Sequence, residues 1–140
     1  WSVWPKQLIE HVVKFCVNNH SCVNAAIQYG GIAALDGPED ELNNVLEKFS
    51  LRRKLIVDGL NSLNGVQCSL PGGAFYAFPN IKGTGMNGEE FANKCLHEVG
   101  VAIVPGTSFG NFATDYVRFS FAASSENISK AIEKIDKILK

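Results

Sequence analysis

Apolar positions recur along the chain with two periods, and the switches between them divide it into elements. After Pro5, which suits the first turn of a helix, Leu8, Ile9, Val12, Val13 and Cys16 follow at helical spacing. Asn18, Asn19, His20 and Ser21 then break the pattern as a polar loop. The residues before Pro5 are short and apolar, as at the end of a strand. A second helix is predicted over 23–35. It carries no charge before Asp36 and is rich in small residues (Ala25, Ala26, Gly30, Gly31, Ala33, Ala34), which predicts burial on several sides. Asp36-Gly37-Pro38-Glu39 combines a capping-type aspartate, a proline and an acid that favours the helix dipole, so a third helix is predicted to start there. Leu42, Val45, Leu46, Phe49, Leu55, Ile56, Leu60 and Leu63 carry its apolar face to a stop at Asn64-Gly65. Arg52, Arg53, Lys54 and Asp58 mark its solvated side.

Beyond that stop the period shortens. Residues 66–70 read as a short strand, and Pro71-Gly72-Gly73 as a turn. Ala74-Phe75-Tyr76-Ala77-Phe78 is apolar on both faces, as in an interior strand. A glycine-rich loop over 79–88 leads to Asn87-Gly88-Glu89-Glu90, a helix cap with acids in the first turn. That helix runs to about Glu98 with Phe91, Cys95 and Leu96 inward, and Gly100 ends it. A third strand over 101–104 and a loop over 105–110 follow. After a last strand over 116–122, Ser124 or Ser125 caps a final helix striped by Ile128, Ala131, Ile132, Ile135, Ile138 and Leu139. The order predicts an α/β fold: a small α/β sandwich, with a three- to four-stranded sheet and helices, preceded by two helices.

One residue of the last strand does not fit. Alternation puts Val117, Phe119 and Phe121 on one face and Tyr116, Arg118 and Ser120 on the other. Burying an arginine costs on the order of several kcal/mol unless an anion meets it. Its planar fork of donors matches a carboxylate or phosphate bidentately. Either a buried acid elsewhere in the chain pairs with Arg118, or a ligand does.

Composition narrows the options. The 140 residues carry a net charge of −1 and are 46% hydrophobic and 19% charged, ordinary for one domain with a real core. Nothing is basic enough to indicate nucleic acid, and no apolar run reaches membrane-span length or forms a signal peptide. Cys16, Cys22, Cys68 and Cys95 form no Cys-x-x-Cys pair and are expected to be reduced, in keeping with a cytoplasmic location. His11, His20 and His97 lack zinc-site spacing, so no metal is expected. The loop 105–110 offers backbone N–H groups to an anion but lacks the Gly-Lys-Ser/Thr ending of a nucleotide loop, and such a sequence is more often a plain turn. Gly-x-Ser-x-Gly is absent, and Tyr76 reads as a core tyrosine with its hydroxyl at a rim. Chemistry alone therefore reaches one anion-binding arginine and two glycine loops, without a nucleophile.

Four motifs together resemble a known family. Pro71-Gly72-Gly73-Ala74-Phe75-Tyr76-Ala77-Phe78-Pro79 is similar to the P-x-G-A-F-Y-x-F-P signature of class I aminotransferases that depend on pyridoxal phosphate. Leu51-Arg52-Arg53-Lys54, Val104-Pro105-Gly106 with Phe109-Gly110, and Val117-Arg118-Phe119-Ser120-Phe121-Ala122 fit in the same order. Ser21-Cys22, Gln28 and Ala33-Ala34-Leu35 also resemble the family, nearest its aspartate-aminotransferase-like branch. The resemblance implies that Arg118 binds the substrate α-carboxylate and that Gly106, Thr107 and Ser108 lie near the active site. It implies, more weakly, that Ser21 lies near the active site and the dimer interface. The family's Schiff-base lysine has no counterpart here and is expected upstream, as are the other residues that hold the cofactor. The chain is thus expected to be a C-terminal piece: residues 1–36 the last helices of the large cofactor domain, and 37–140 most of the small domain. Trp1 in place of a starting methionine points the same way. The parent enzyme is expected to be a homodimer acting on amino-acid and 2-oxo-acid substrates, while this piece alone is inactive and does not bind the cofactor covalently. Related lyases and synthases share the framework. The alternative is a stand-alone, non-catalytic module that binds an anion or a partner.

Overall fold

The computed structural model describes residues 2–140, which separate into two compact units, 2–39 and 40–140. In the first unit, residues 2–4 form no strand, and Trp1 of the predicted strand end lies outside the described residues. A 3-10 turn over Lys6–Leu8 leads into α1 (Ile9–Asn19), so Asn18 and Asn19 prolong the helix rather than open the loop. The Asn18 side chain donates to the Lys14 carbonyl one turn back, which keeps it within the helix. Asn24 caps α2 (Ala25–Asp36) by accepting from the Ala26 N–H at 2.8 Å. No described residue of this unit is buried, which corrects the burial expected of α2; Leu35 is 88% exposed. Two short helices hold too little apolar surface to enclose a core of their own. Asp36 ends α2 instead of capping the next helix. Gly37 is extended, as favoured before a proline, and a Cβ there would stand 2.5 Å from the Ala33 carbonyl oxygen.

The second unit holds the core. It comprises α3 (Asp40–Ser62), β1 (Tyr76–Ala77), α4 (Gly88–Val99), β2 (Val104–Pro105), β3 (Val117–Ser120) and α5 (Ser125–Leu139). The three strands are ordered β1-β3-β2, both pairings antiparallel. Ile56 and Leu60 of α3, Phe91 and Cys95 of α4, and Ile128 and Ile135 of α5 pack with Val117, Phe119 and Phe121 against one sheet face. Each large side chain fully enclosed there contributes about 2 kcal/mol. Local signals act as read: Asn87 and Glu90 form a reciprocal capping box, Gly65 and Gly100 take the left-handed conformation, and Ser124 caps α5.

Four strand and helix expectations are corrected. Residues 66–70 form no strand beyond an isolated bridge between Gln67 and Asn80. Asn61 takes the strand's hydrogen bonds, accepting from the Cys68 N–H at 2.7 Å and donating to its carbonyl at 2.9 Å. The strand within 74–78 shrinks to β1 and lies at the edge of the three-stranded sheet, with Phe75 40% and Phe78 39% exposed. The strand over 101–104 shrinks to β2, because the chain turns into a 3-10 helix at Gly106. Leu96 is exposed, since the inward stripe of α4 runs through Phe91, Ala92 and Cys95. No helix of the described residues is long and apolar enough to cross a membrane.

Candidate functional site

The two faces of β3 do different work. Val117 and Phe119 enter the core, while Arg118 and Ser120 stand on the opposite face. The register pairs Tyr76 with Ser120, which makes Tyr76 and Arg118 diagonal neighbours on that face. The Arg118 guanidinium carbon lies 4.4 Å from the centroid of the Tyr76 ring and 4.7 Å from that of Phe109. The aromatic cluster continues outward: Phe109 meets Phe78 edge-on at 5.9 Å, and Phe78 stacks on Tyr116 at 5.3 Å. Such rings attract a guanidinium by about 0.5–2 kcal/mol each, and they hold its plane without using its N–H donors.

Among the described residues no carboxylate pairs with Arg118; the ion pairs are Lys82–Asp115, Lys130–Glu126 and Lys140–Asp136. The internal acid that the sequence left open as a partner is absent from this set. What remains is a half-buried cation, oriented by aromatic faces, with its fork available to a planar anion.

The predicted loop is a 3-10 helix, Gly106–Phe109, that carries Phe109 to Arg118. Gly106 is buried and donates its N–H to the Tyr116 carbonyl at 2.8 Å. A Cβ at Gly106 would fall 2.2 Å from the Ala113 carbonyl oxygen and 2.6 Å from that of Tyr116. Only glycine fits such an approach, and the close contact fixes the 3-10 turn beside β3. Thr107 donates its hydroxyl to Glu89 Oε1 at 3.1 Å, joining the turn to the start of α4. Ser108 is exposed and makes no side-chain hydrogen bond among the described residues. Ser21 lies in the first unit between α1 and α2, exposed, with φ 62°.

Three residues were missed by sequence reasoning. Tyr76 and Phe109 are the ring partners of Arg118, and strand alternation with the β1–β3 register was the signal that could have found the first. Arg53 is half-buried, not solvated: its Nη1 donates to the Pro71 carbonyl at 3.2 Å, and its Nε is buried with no partner. No group of three or more His, Cys, Asp or Glu is placed to hold a metal among the described residues. Burial pushes the Cys68 thiol pKa upward. Burial, aided by the nearby Glu98 charge, pushes that of Cys95 up to about 12. Neither is a thiolate nucleophile at neutral pH.

The family model described as aminotransferase class I and II matches residues 3–135. The aspartate aminotransferase of Pyrococcus horikoshii is 37% identical over 139 residues, covering 98% of this chain and 36% of that protein. Aromatic-amino-acid aminotransferase 2 of Thermococcus litoralis is 34% identical, covering 97% of this chain and 35% of its own length. The crystal structure of an aromatic aminotransferase from P. horikoshii superposes with a TM-score of 0.90 at 36% identity, over 96% of this chain and 36% of the other. The chain thus spans about a third of the length of the curated relatives it matches. With the motifs, the fold and these matches in agreement, the chain belongs to the class I and II aminotransferase family.

Proposed function

We propose that this chain is the C-terminal part of an aminotransferase that moves an amino group between an amino acid and a 2-oxo acid, with Arg118 as the anchor for the substrate α-carboxylate. The observation that carries the reading is the Arg118 fork, held by Tyr76 and Phe109 and unpaired with any acid among the described residues. A carboxylate is planar, accepts two parallel N–H bonds and neutralises the charge. Binding it there fixes one end of the amino acid, so the Cα–H is oriented before any bond changes. The ring faces also keep water from part of the guanidinium, which strengthens the pairing.

Pyridoxal phosphate is the cofactor this reading implies; when bound, it supplies an electron sink and a temporary carrier for the amino group. The residues gathered at Arg118 do not fit it: one guanidinium against aromatic rings offers no amine to hold an aldehyde. No residue of this chain is therefore assigned to the cofactor. Under the same reading, residues 1–36 belong to a large cofactor domain and 37–140 to a small domain, and the turn holding Gly106, Thr107 and Ser108 borders the substrate. Ser21 is proposed to lie near the active site and the dimer interface on the family resemblance alone. A cytoplasmic homodimer is proposed for the parent on the same resemblance, and the mass of the full-length enzyme in solution tests the dimer. The match to aminotransferases over nearly the whole of this chain favours this reading over a stand-alone binding module.

The test is Arg118→Lys in the full-length enzyme. Lysine keeps the charge but loses the fork and the stacking plane. Loss of a charge-assisted bidentate contact lowers kcat/KM by about 1.5–3 kcal/mol, roughly 10- to 150-fold. Near-normal kcat/KM with the natural amino acid overturns the assignment.

A further inference from the structure

Arg53 is the residue whose state the fold leaves unexplained. A charged side chain half-buried on α3 keeps one hydrogen bond, to a neutral carbonyl, and leaves its Nε enclosed without a partner. That is an unfavourable place for a guanidinium unless its position serves something. Its one acceptor is the carbonyl of Pro71, the first residue of the turn that delivers β1.

This turn has little else to hold it. A Cβ on Gly72 or Gly73 would meet nothing within 4 Å, so neither position is packed. Ala74 follows with φ 58°, a left-handed conformation that an alanine adopts only at a cost. Among the described residues no other side-chain hydrogen bond reaches 71–74. α3 takes hold again one turn earlier, where Phe49 meets the Phe75 ring at 6.3 Å. Phe75 in turn lies 4.4 Å from the Tyr76 ring, and Tyr76 is the ring under Arg118.

We infer that Arg53 is a positioning residue for Arg118: by holding the Pro71 carbonyl it sets the start of β1, and with it the plane of the Tyr76 ring that orients the fork. The inference rests on Arg118 being the carboxylate anchor. It acts through a continuous set of contacts, α3 to the turn, the turn to Tyr76, and Tyr76 to Arg118. Arg53 touches neither substrate nor cofactor in this account.

The experiment is a double-mutant cycle in the full-length holoenzyme, made with Arg53→Met, Arg118→Lys and the pair. Propionate, a carboxylate with no amino group, is the probe; its dissociation constant is measured directly, beside kcat and KM for the amino acid and the thermal midpoint. Arg53→Met is expected to weaken propionate and raise KM by about 3- to 10-fold, with kcat changed less, because a displaced anchor misplaces the bound carboxylate. In the Arg118→Lys background the same substitution is expected to change propionate binding less than twofold. Equal effects in both backgrounds, or no effect on propionate in the single variant, overturn the role of Arg53. Unchanged propionate binding in Arg118→Lys alone overturns instead the reading of Arg118 on which it rests. Should Arg53→Met not fold, Arg53→Lys takes its place in the same cycle: weaker propionate binding than wild type that disappears in the Arg118→Lys background supports the role, and an equal effect in both backgrounds, or none, contradicts it.

Discussion

Gly106→Ala is the sharpest test of how the 3-10 turn is placed. The added methyl meets two main-chain oxygens, at 2.2 Å from Ala113 and 2.6 Å from Tyr116. Neither can rotate aside, as a flexible side chain would. Ala113 is fully buried, and the Gly106 N–H is already bonded to the Tyr116 carbonyl. Relief therefore requires the backbone to move. Overpacking of this kind costs about 1–3 kcal/mol. Weakening the Gly106–Tyr116 hydrogen bond adds about 0.5–1.5 kcal/mol. Together they predict a loss of roughly 1.5–4.5 kcal/mol, a large part of a typical domain's stability. Urea unfolding of the chain, followed by tryptophan-independent far-UV circular dichroism, reads the loss as a lower midpoint. Gly72→Ala is the matched control: it has open space around the added carbon and no positive φ, so it should be neutral or slightly stabilising. A midpoint for Gly106→Ala within about 0.5 kcal/mol of wild type would refute the placement of this turn against β3.

Three further outcomes are expected. Asn61→Ala removes both hydrogen bonds to the Cys68 backbone and should destabilise the chain by about 1–3 kcal/mol, measured by the same unfolding assay. Phe109→Leu in the full-length enzyme removes one of the two rings at Arg118 and should raise KM for the amino acid about 2- to 5-fold, read by steady-state kinetics. Cys95 has a folded-state pKa raised to about 12 from 9.0, so the unfolded chain loses that proton first. Its contribution to stability is full below about pH 9 and is lost as pH rises toward 12; unfolding titrations across that range should show a decline that Cys95→Ala flattens.

The sequence carried the parts of this fold that local chemistry decides. The Asn87–Glu90 cap, the Gly65 and Gly100 stops and the α5 stripe each depend on residues within one or two turns, and all three are present as read. What was misjudged depends on distant partners. Residues 66–70 have strand-like composition, yet Asn61 seven residues upstream of Cys68 takes their hydrogen bonds. Arg53 looked solvated because its helix face is charged, and only the return of the chain at Pro71 encloses it. At the candidate site, Arg118 stood out because an arginine breaks an apolar strand. Its aromatic partners did not, since Tyr76 and Phe109 meet it only after β1 pairs with β3 and the Gly106 turn closes.

We propose that the Arg118 fork receives the substrate carboxylate. The most direct measurement is a crystal structure of the full-length enzyme with a bound amino-acid analogue. Both carboxylate oxygens are expected at about 3 Å from guanidinium nitrogens of Arg118, in the bidentate arrangement, with Tyr76 and Phe109 still against its face. A carboxylate bound elsewhere, with Arg118 paired to a side-chain acid from another part of the enzyme, would contradict it.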